Sequence, residues 1–374
     1  MQNSEAAASD IGKQTSAGGP LPALQLADGK LGPGELVSFP PVPILKAPSD
    51  KAAANLLLNP GFEQDLAPWT ADGADTSACK TNSLLAAEGA NSLEVTPSEA
   101  GSVSVSQAVK LNPRTFYAMS ALVFAPGESK VALEAREKTA GAVVSGGETS
   151  GSMSAWSLIR LVFITGIHSD EILLGFKCSN AKGNAPILID QCALYALPSE
   201  NLLPGGTMEV VPEADRMPEW YVNGRGVSPS AEGYKSKVAV ELPALEGVSS
   251  SLVGLIPARK EWEGKEFWVS AVIKSVPDGN GAPPAVTFSS RIKGADGTLA
   301  EVSTPCPATG DWAEAALRVK MPAQLIGNAE DLPPFWTPRF ELPAGSAGTA
   351  FVDEVVMLAL PEGQFDGGLT SLAP

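Results

Sequence analysis

Residues Asn55 to Trp69 read NLLLNPGFEQDLAPW, and a second stretch that starts at Asn201 reads NLLPGGTMEVVPEADRMPEW. Two openings of one kind predict a repeated unit. Aligning them places Glu63 against Glu209. Three more correspondences follow in the same order. TFYAMSALVFAP matches EFWVSAVIKSVP, with Ser120 and Ala121 against Ser270 and Ala271. AWSLIRLVFIT matches DWAEAALRVKMP, with Trp156 against Trp312. ILIDQCALYALP matches AFVDEVVMLALP, with Asp190 against Asp353. Residues 55–198 and 199–361 therefore read as two copies of one domain.

Inside each copy the hydrophobic pattern has the period of strands. SVSVSQAVKL alternates polar and apolar residues, as a half-buried strand does. KVALEARE, LIRLVFIT, EILLGFKC and ILIDQCALYAL follow, each bounded by turn residues. The second copy supplies SKVAVEL, FWVSAVIK, AVTFSSRIKG, EAALRVKMP and FVDEVVMLAL, with an Asp-Gly turn signal at 296–297. No long amphipathic helix is legible. The expected fold is all-β: two tandem antiparallel jelly-roll β-sandwiches preceded by an extended Pro/Gly-rich N-terminal arm. Only Ser199 and Glu200 lie between the end of the first copy and the opening at Asn201, so the sandwiches are expected to sit close, with little relative motion.

The arm, residues 1–54, is rich in Gly and Pro, yet its second half carries Leu36, Val37, Phe39, Val42, Ile44 and Leu45. Such a segment reads as an extended docking arm that lies along a surface of this chain or of a partner. The tail, 362–374, reads as a short unstructured or docking segment.

Composition narrows the function. Of 374 residues 44% are hydrophobic, enough for a sizeable core, and 37 Gly with 32 Pro favour turns and short strands. A net charge of −16 repels nucleic-acid phosphates and suits cations. Four scattered cysteines and one histidine build no zinc site. The cysteines read as small buried hydrophobes, with Cys178 and Cys192 as the one pair whose strands could bring them together. His168, in TGIHSDE, reads as a surface-loop residue without a catalytic partner. The chain shows no basic-then-apolar export signal and no run long enough to span a membrane. Motifs for nucleophilic catalysis or phosphate binding are absent from it, so no enzyme is expected.

The NLLxNPGFE opening, the Trp soon after it, the Trp-led strand and the closing I-D-x-x-x-L resemble the carbohydrate-binding modules that accompany xylanases and cellulases. The likeness covers 55–198 well and the second copy more loosely, where GGTM stands in place of NPGF. It marks a fold, and sugar binding is a separate property of such folds. In a sandwich whose first and last strands are neighbours, Glu63 and Asp190 converge. Two close carboxylates repel unless a proton or cation joins them, and calcium prefers such oxygens. The resemblance implies the same: a structural calcium at Glu63 and Asp190, and in the second copy at Glu209 and Asp353.

Aromatic residues shared by the copies, Trp69 with Trp220, Phe116 with Phe267, Tyr117 with Trp268 and Trp156 with Trp312, read as core. The second copy has extra aromatics in loop-like stretches: Tyr221, Tyr234, Trp262, Phe335 and Trp336. Of these, Tyr221, Trp262, Phe335 and Trp336 are the candidate ligand-binding residues, for a glycan or a protein surface. The functional expectation is a non-enzymatic structural or assembly protein. Its form would be a phage virion decoration, fibre or adhesion protein, assembled in the host cytoplasm and bound to partners through its arm. The alternative is a secreted glycan-binding or adhesion protein acting outside the cell through the second sandwich.

Overall fold

The computed structural model describes residues 54–369 except 74–77, 99–100, 139–141, 151–154, 169–170, 181–184, 204, 209–219, 224–226, 280, 328–333, 362 and 364. In the arm it describes only the two-residue strands Gln25–Leu26 and Gly29–Lys30. The expected docking of the arm therefore lies outside the described residues.

The chain is all-β. A short 3-10 turn, Lys260–Trp262, interrupts the strands of the second sandwich. In the first sandwich one sheet runs Ser157–Ile164, Phe116–Phe124, Ile187–Ala196, Ser92–Val95, Cys79–Asn82. The facing sheet runs Thr70–Gly73, Ser102–Val109, Ile172–Asn180, Ser129–Glu137, Val143–Ser150. The second sandwich repeats both orders strand for strand. One sheet runs Ala313–Lys320, Glu266–Val276, Thr349–Ala359, Ala239–Pro243, Ser228–Ser230. Its partner runs Trp220–Asn223, Ser250–Gly254, Phe335–Leu342, Thr287–Lys293, Leu299–Pro305. Strand partners within both sandwiches are antiparallel.

The repeat extends to single hydrogen bonds. Asn55 Oδ1 accepts the N–H groups of Leu57 and Leu194, at 3.1 and 2.9 Å. Asn201 Oδ1 accepts those of Leu203 and Met357, both at 3.0 Å. Each Asn thus ties the opening of its copy to the last strand. The bend after it is made by left-handed residues, Asn59 (φ 47°) and Phe62 (φ 56°) in one copy, Gly205 (φ 61°) and Met208 (φ 54°) in the other. A bulky side chain in that region costs about 1 kcal/mol or more. Phe62 and Met208 are both wholly buried, and that packing compensates. Trp69 is buried as expected, against Phe62 and Phe176, with its Nε1–H donated to the Asn59 carbonyl.

One expected alignment shifts by a residue. The register set by Ser120 and Ser270 places Tyr117, Met119, Ala121 and Val123 in the first core and Phe267, Val269, Ala271 and Ile273 in the second. Tyr117 thus corresponds to Phe267. Phe116 and Trp268, which alternate to the other face of their strands, instead pack between the sandwiches with Ile164, Ala316 and Leu358.

The tail completes this contact. Phe365 packs edge-on against Phe116 (5.7 Å) and Trp268 (5.8 Å). Gly367 and Gly368 then pair in parallel with Phe163 and Ile164 of the first sandwich. Leu369 is buried in the first sandwich's core. A Cβ on Gly368 would lie 2.7 Å from the Trp268 ring, so only glycine fits this close approach. The tail of the second copy is therefore a docked strap on the first.

No disulfide joins the four cysteines. Cys178 and Cys192 lie buried in opposite sheets of the first core, where burial pushes both thiols up, so the possible pairing does not form. None of the described helices is long and apolar enough to cross a membrane.

Candidate functional site: the outer sheet face of the second sandwich

The strand Phe335–Leu342 alternates exposed and buried residues, so Phe335, Thr337, Arg339 and Glu341 share its outward side. Successive outward residues stand about 7 Å apart. Strand register extends this face sideways. Arg339 lies opposite Val253 and Ser289, and Val253 lies opposite Tyr221. Glu341 lies opposite Ser251 and Thr287, and Ser251 opposite Asn223.

Arg339 Nη2 pairs with Glu341 Oε2 at 3.0 Å along the strand, with both side chains partly exposed. Its Nε is buried without a hydrogen-bond partner, and so is the Oγ of Ser251. A buried polar group left unpaired costs about 1–3 kcal/mol, and both atoms are covered, Ser251 at 0% exposure, so the accessible polar groups of this face are the Arg339 and Glu341 heads with Thr287, Ser289 and Thr337. Hydroxyl, guanidinium and carboxylate side chains on one face, ending in a half-exposed phenyl ring, offer donors, acceptors and an apolar surface together.

The sequence-derived ligand residues divide. Phe335 is 54% exposed and lies on this face. Tyr221 occupies the register row of Arg339, and its side chain lies outside the described residues. Trp336 and Trp262 are corrections. Trp336 alternates inward beside Phe335, is 0% exposed and donates its Nε1–H to Ser290 Oγ at 2.6 Å. Trp262, in the 3-10 turn, is 3% exposed and packs edge-on against Phe267. Both are core residues, with no ring face left for a ligand. Arg339, Glu341 and Ser251 were not singled out from sequence. The signal for the first two is the period-two alternation of FWTPRFEL, which puts Phe, Thr, Arg and Glu on one side.

In the first sandwich Asp190 is fully buried. Its Oδ2 accepts the N–H groups of Ala87 and Glu88 and its Oδ1 that of Gln191, at 2.8, 3.0 and 2.7 Å. Burial raises its pKa, the three N–H groups oppose that rise, and the charge of Glu63 adds to it. Glu63 Oε1 accepts the N–H groups of Ala90 and Asn91. The two acids thus converge on the 87–91 loop, with Gly61 beside both. Their all-oxygen chemistry suits a hard cation. No group of three or more acidic, His or Cys side chains with metal-binding placement occurs among the described residues, so further ligands would have to be carbonyls or water. Asp353 holds the corresponding place, accepting from Tyr234 N–H, Ser236 Oγ–H and Glu354 N–H at 2.8, 2.6 and 2.7 Å. Glu209 lies outside the described residues. His168 is exposed in a turn, as expected, and its ring meets Tyr234 of the second sandwich at 6.4 Å.

The class of molecule this describes is a tandem antiparallel β-sandwich protein. Among solved structures, a family 61 carbohydrate-binding module in complex with β-1,4-galactotriose shares 24% identity over 39% of this chain and 100% of its own, with a TM-score of 0.34. The N-terminal tandem of two family 22 modules from Paenibacillus barcinonensis Xyn10C shares 17% identity over 82% of this chain and 98% of its own, with a TM-score of 0.33. The enzymatically active domain of bacteriophage CBA120 tailspike protein 4 shares 12% over 38% of this chain and 21% of its own, with a TM-score of 0.32. Neither a protein-family model nor a curated protein matches the chain.

Proposed function

We propose that this chain is a non-catalytic structural protein that displays a saccharide-binding face on a larger particle. The observation that carries the reading is the outer face around Arg339, where Thr287, Ser289, Thr337, Arg339 and Glu341 form a half-exposed polar row that ends in the exposed Phe335 ring. A sugar presents hydroxyls that donate and accept, and C–H faces that rest on an aromatic ring. Arg339 would donate to the hydroxyls, Glu341 would accept from them, and Phe335 would carry the ring.

The display role is supported by the interface. Phe116, Trp268 and Phe365 fuse the sandwiches into one block, so a ligand face on the second is held at a fixed angle to the first. In this reading the apolar arm docks on partner proteins of the particle, of which a phage virion is the proposed example. A secreted glycan-binding protein would use the same face without the arm's docking. Calcium at Glu63 and Asp190 belongs to the reading as a brace on the 87–91 loop and takes no part in ligand contact.

Glycan-array binding by the full-length protein, repeated with Arg339→Ala and Phe335→Ala, tests the face. Binding lost in both variants supports it, and binding unchanged in both sinks it. Assembly state with and without residues 1–54 tests the display role: assembly that persists without them overturns arm docking.

A further inference from the structure

Glu137 ends the strand Ser129–Glu137 of the first sandwich, and Glu314 lies in the strand Ala313–Lys320 of the second. Both are buried. They converge on Gly166. A Cβ built there would lie 3.3 Å from Glu137 Oε1, 3.5 Å from Glu314 Oε2 and 3.0 Å from the carbonyl of Leu369. Two carboxyls from different sandwiches thus meet beneath the tail strap.

Positive charge here is scarce. Arg114 donates Nε–H to Glu314 at 3.3 Å, and its Nη1 reaches the carbonyl of Glu354 at 2.6 Å and its carboxylate at 3.4 Å. Ile167 donates its N–H to Glu314 Oε2 at 3.2 Å. Lys138, next to Glu137, is taken by Glu171 at 2.7 Å on the exposed side. His168 turns its ring to Tyr234, whose hydroxyl bonds the Ile167 carbonyl. One guanidinium therefore lies against Glu314 and Glu354, and among the described residues no ion pair reaches Glu137. Ionising Glu137 and Glu314 together leaves uncompensated charge out of water, which a bound proton relieves.

We propose that the neighbouring Glu137 and Glu314 carry one proton between the two carboxyl groups at the seam, without requiring a hydrogen bond that joins them, and that its loss loosens the contact of the sandwiches, so the coupling of the two domains responds to pH. Burial is the leading cause that pushes both carboxyls above the usual range. The charge of Glu314 adds to the rise at Glu137, while Arg114 opposes it at Glu314. A carboxyl whose folded-state pKa exceeds its unfolded value binds a proton more tightly when folded. Its stabilisation is full below the unfolded value and drains away as pH rises through the folded one. The seam is therefore closed in mild acid and looser near neutrality.

Hydrogen exchange on the full-length protein, corrected for the intrinsic pH dependence, tests this between about pH 5 and pH 8. Amides of Arg114, Ile167 and Leu369 report the seam, and those of Ile187–Ala196 report the first core. Wild-type seam protection is expected to fall by about tenfold across this range while core protection holds, and Glu137→Gln keeps the acid-side protection throughout. Glu148→Gln, at an exposed site, behaves as wild type. A flat wild-type seam profile overturns the proposal, and so does a Glu137→Gln profile that falls as wild type does. If Glu137→Gln does not fold, the wild-type profile alone decides.

Discussion

Asp190 and Asp353 hold the same post in the two halves of the chain. Each is fully buried, each lies at the bulge of its last sandwich strand, and each accepts the N–H of the next residue at 2.7 Å. Those next residues, Gln191 and Glu354, both turn to positive φ, at 49° and 44°. Each Asp then reaches across to pin a loop by its N–H groups: Ala87 and Glu88 in one copy, Tyr234 in the other.

Removing either carboxylate strands these donors in the interior. Asp190→Ala and Asp353→Ala are each expected to lower unfolding free energy by about 3 kcal/mol. Urea titration monitored by Trp fluorescence measures it, and a loss below about 1 kcal/mol would count against the pinning role.

Calcium is expected to raise the melting temperature of the wild type. The gain should vanish in Glu63→Gln, which keeps the side chain's size and loses its charge. A chelator with no effect on melting, together with no calcium by elemental analysis, removes the proposal.

The strap predicts a long-range effect. Leu369→Ala empties a site in the first core although the residue follows the second copy, and should cost about 3 kcal/mol. Deleting 362–374 should strip Phe365 from Phe116 and Trp268 as well, and allow the two sandwiches to melt in separate transitions. A single unshifted calorimetric transition in the deletion would refute the strap.

Buried and exposed aromatics should separate cleanly. Trp336→Ala is expected to destabilise by about 3–5 kcal/mol. Phe335→Ala should change stability by less than about 1 kcal/mol while reducing any glycan binding. If Trp336→Ala folded with normal stability, its place in the core would be wrong.

The repeat was legible because its anchors are chemical requirements. Asn55 and Asn201 use a short amide to tie two strands, and Asp190 and Asp353 use a carboxylate to collect N–H groups. Few residues replace them, so the sequence repeats them. The candidate site was only half legible. Phe335 and Trp336 are adjacent aromatics in a stretch that reads as loop, DLPPFWTPRF, and composition alone does not say which faces out. Strand pairing decides it, because neighbours in a strand point to opposite faces.

The sequence by itself determined the all-β class, the two copies and the inward packing of Trp69, since these follow from local period and from residue types that recur. Tertiary structure alone decided that Phe116 and Trp268 meet between the copies and that Leu369 enters the first core. It also decided that NLLLNPGFE bends at Asn59 and Phe62. Such contacts join residues far apart in the chain and depend on how two finished surfaces fit, and no local pattern carries that information.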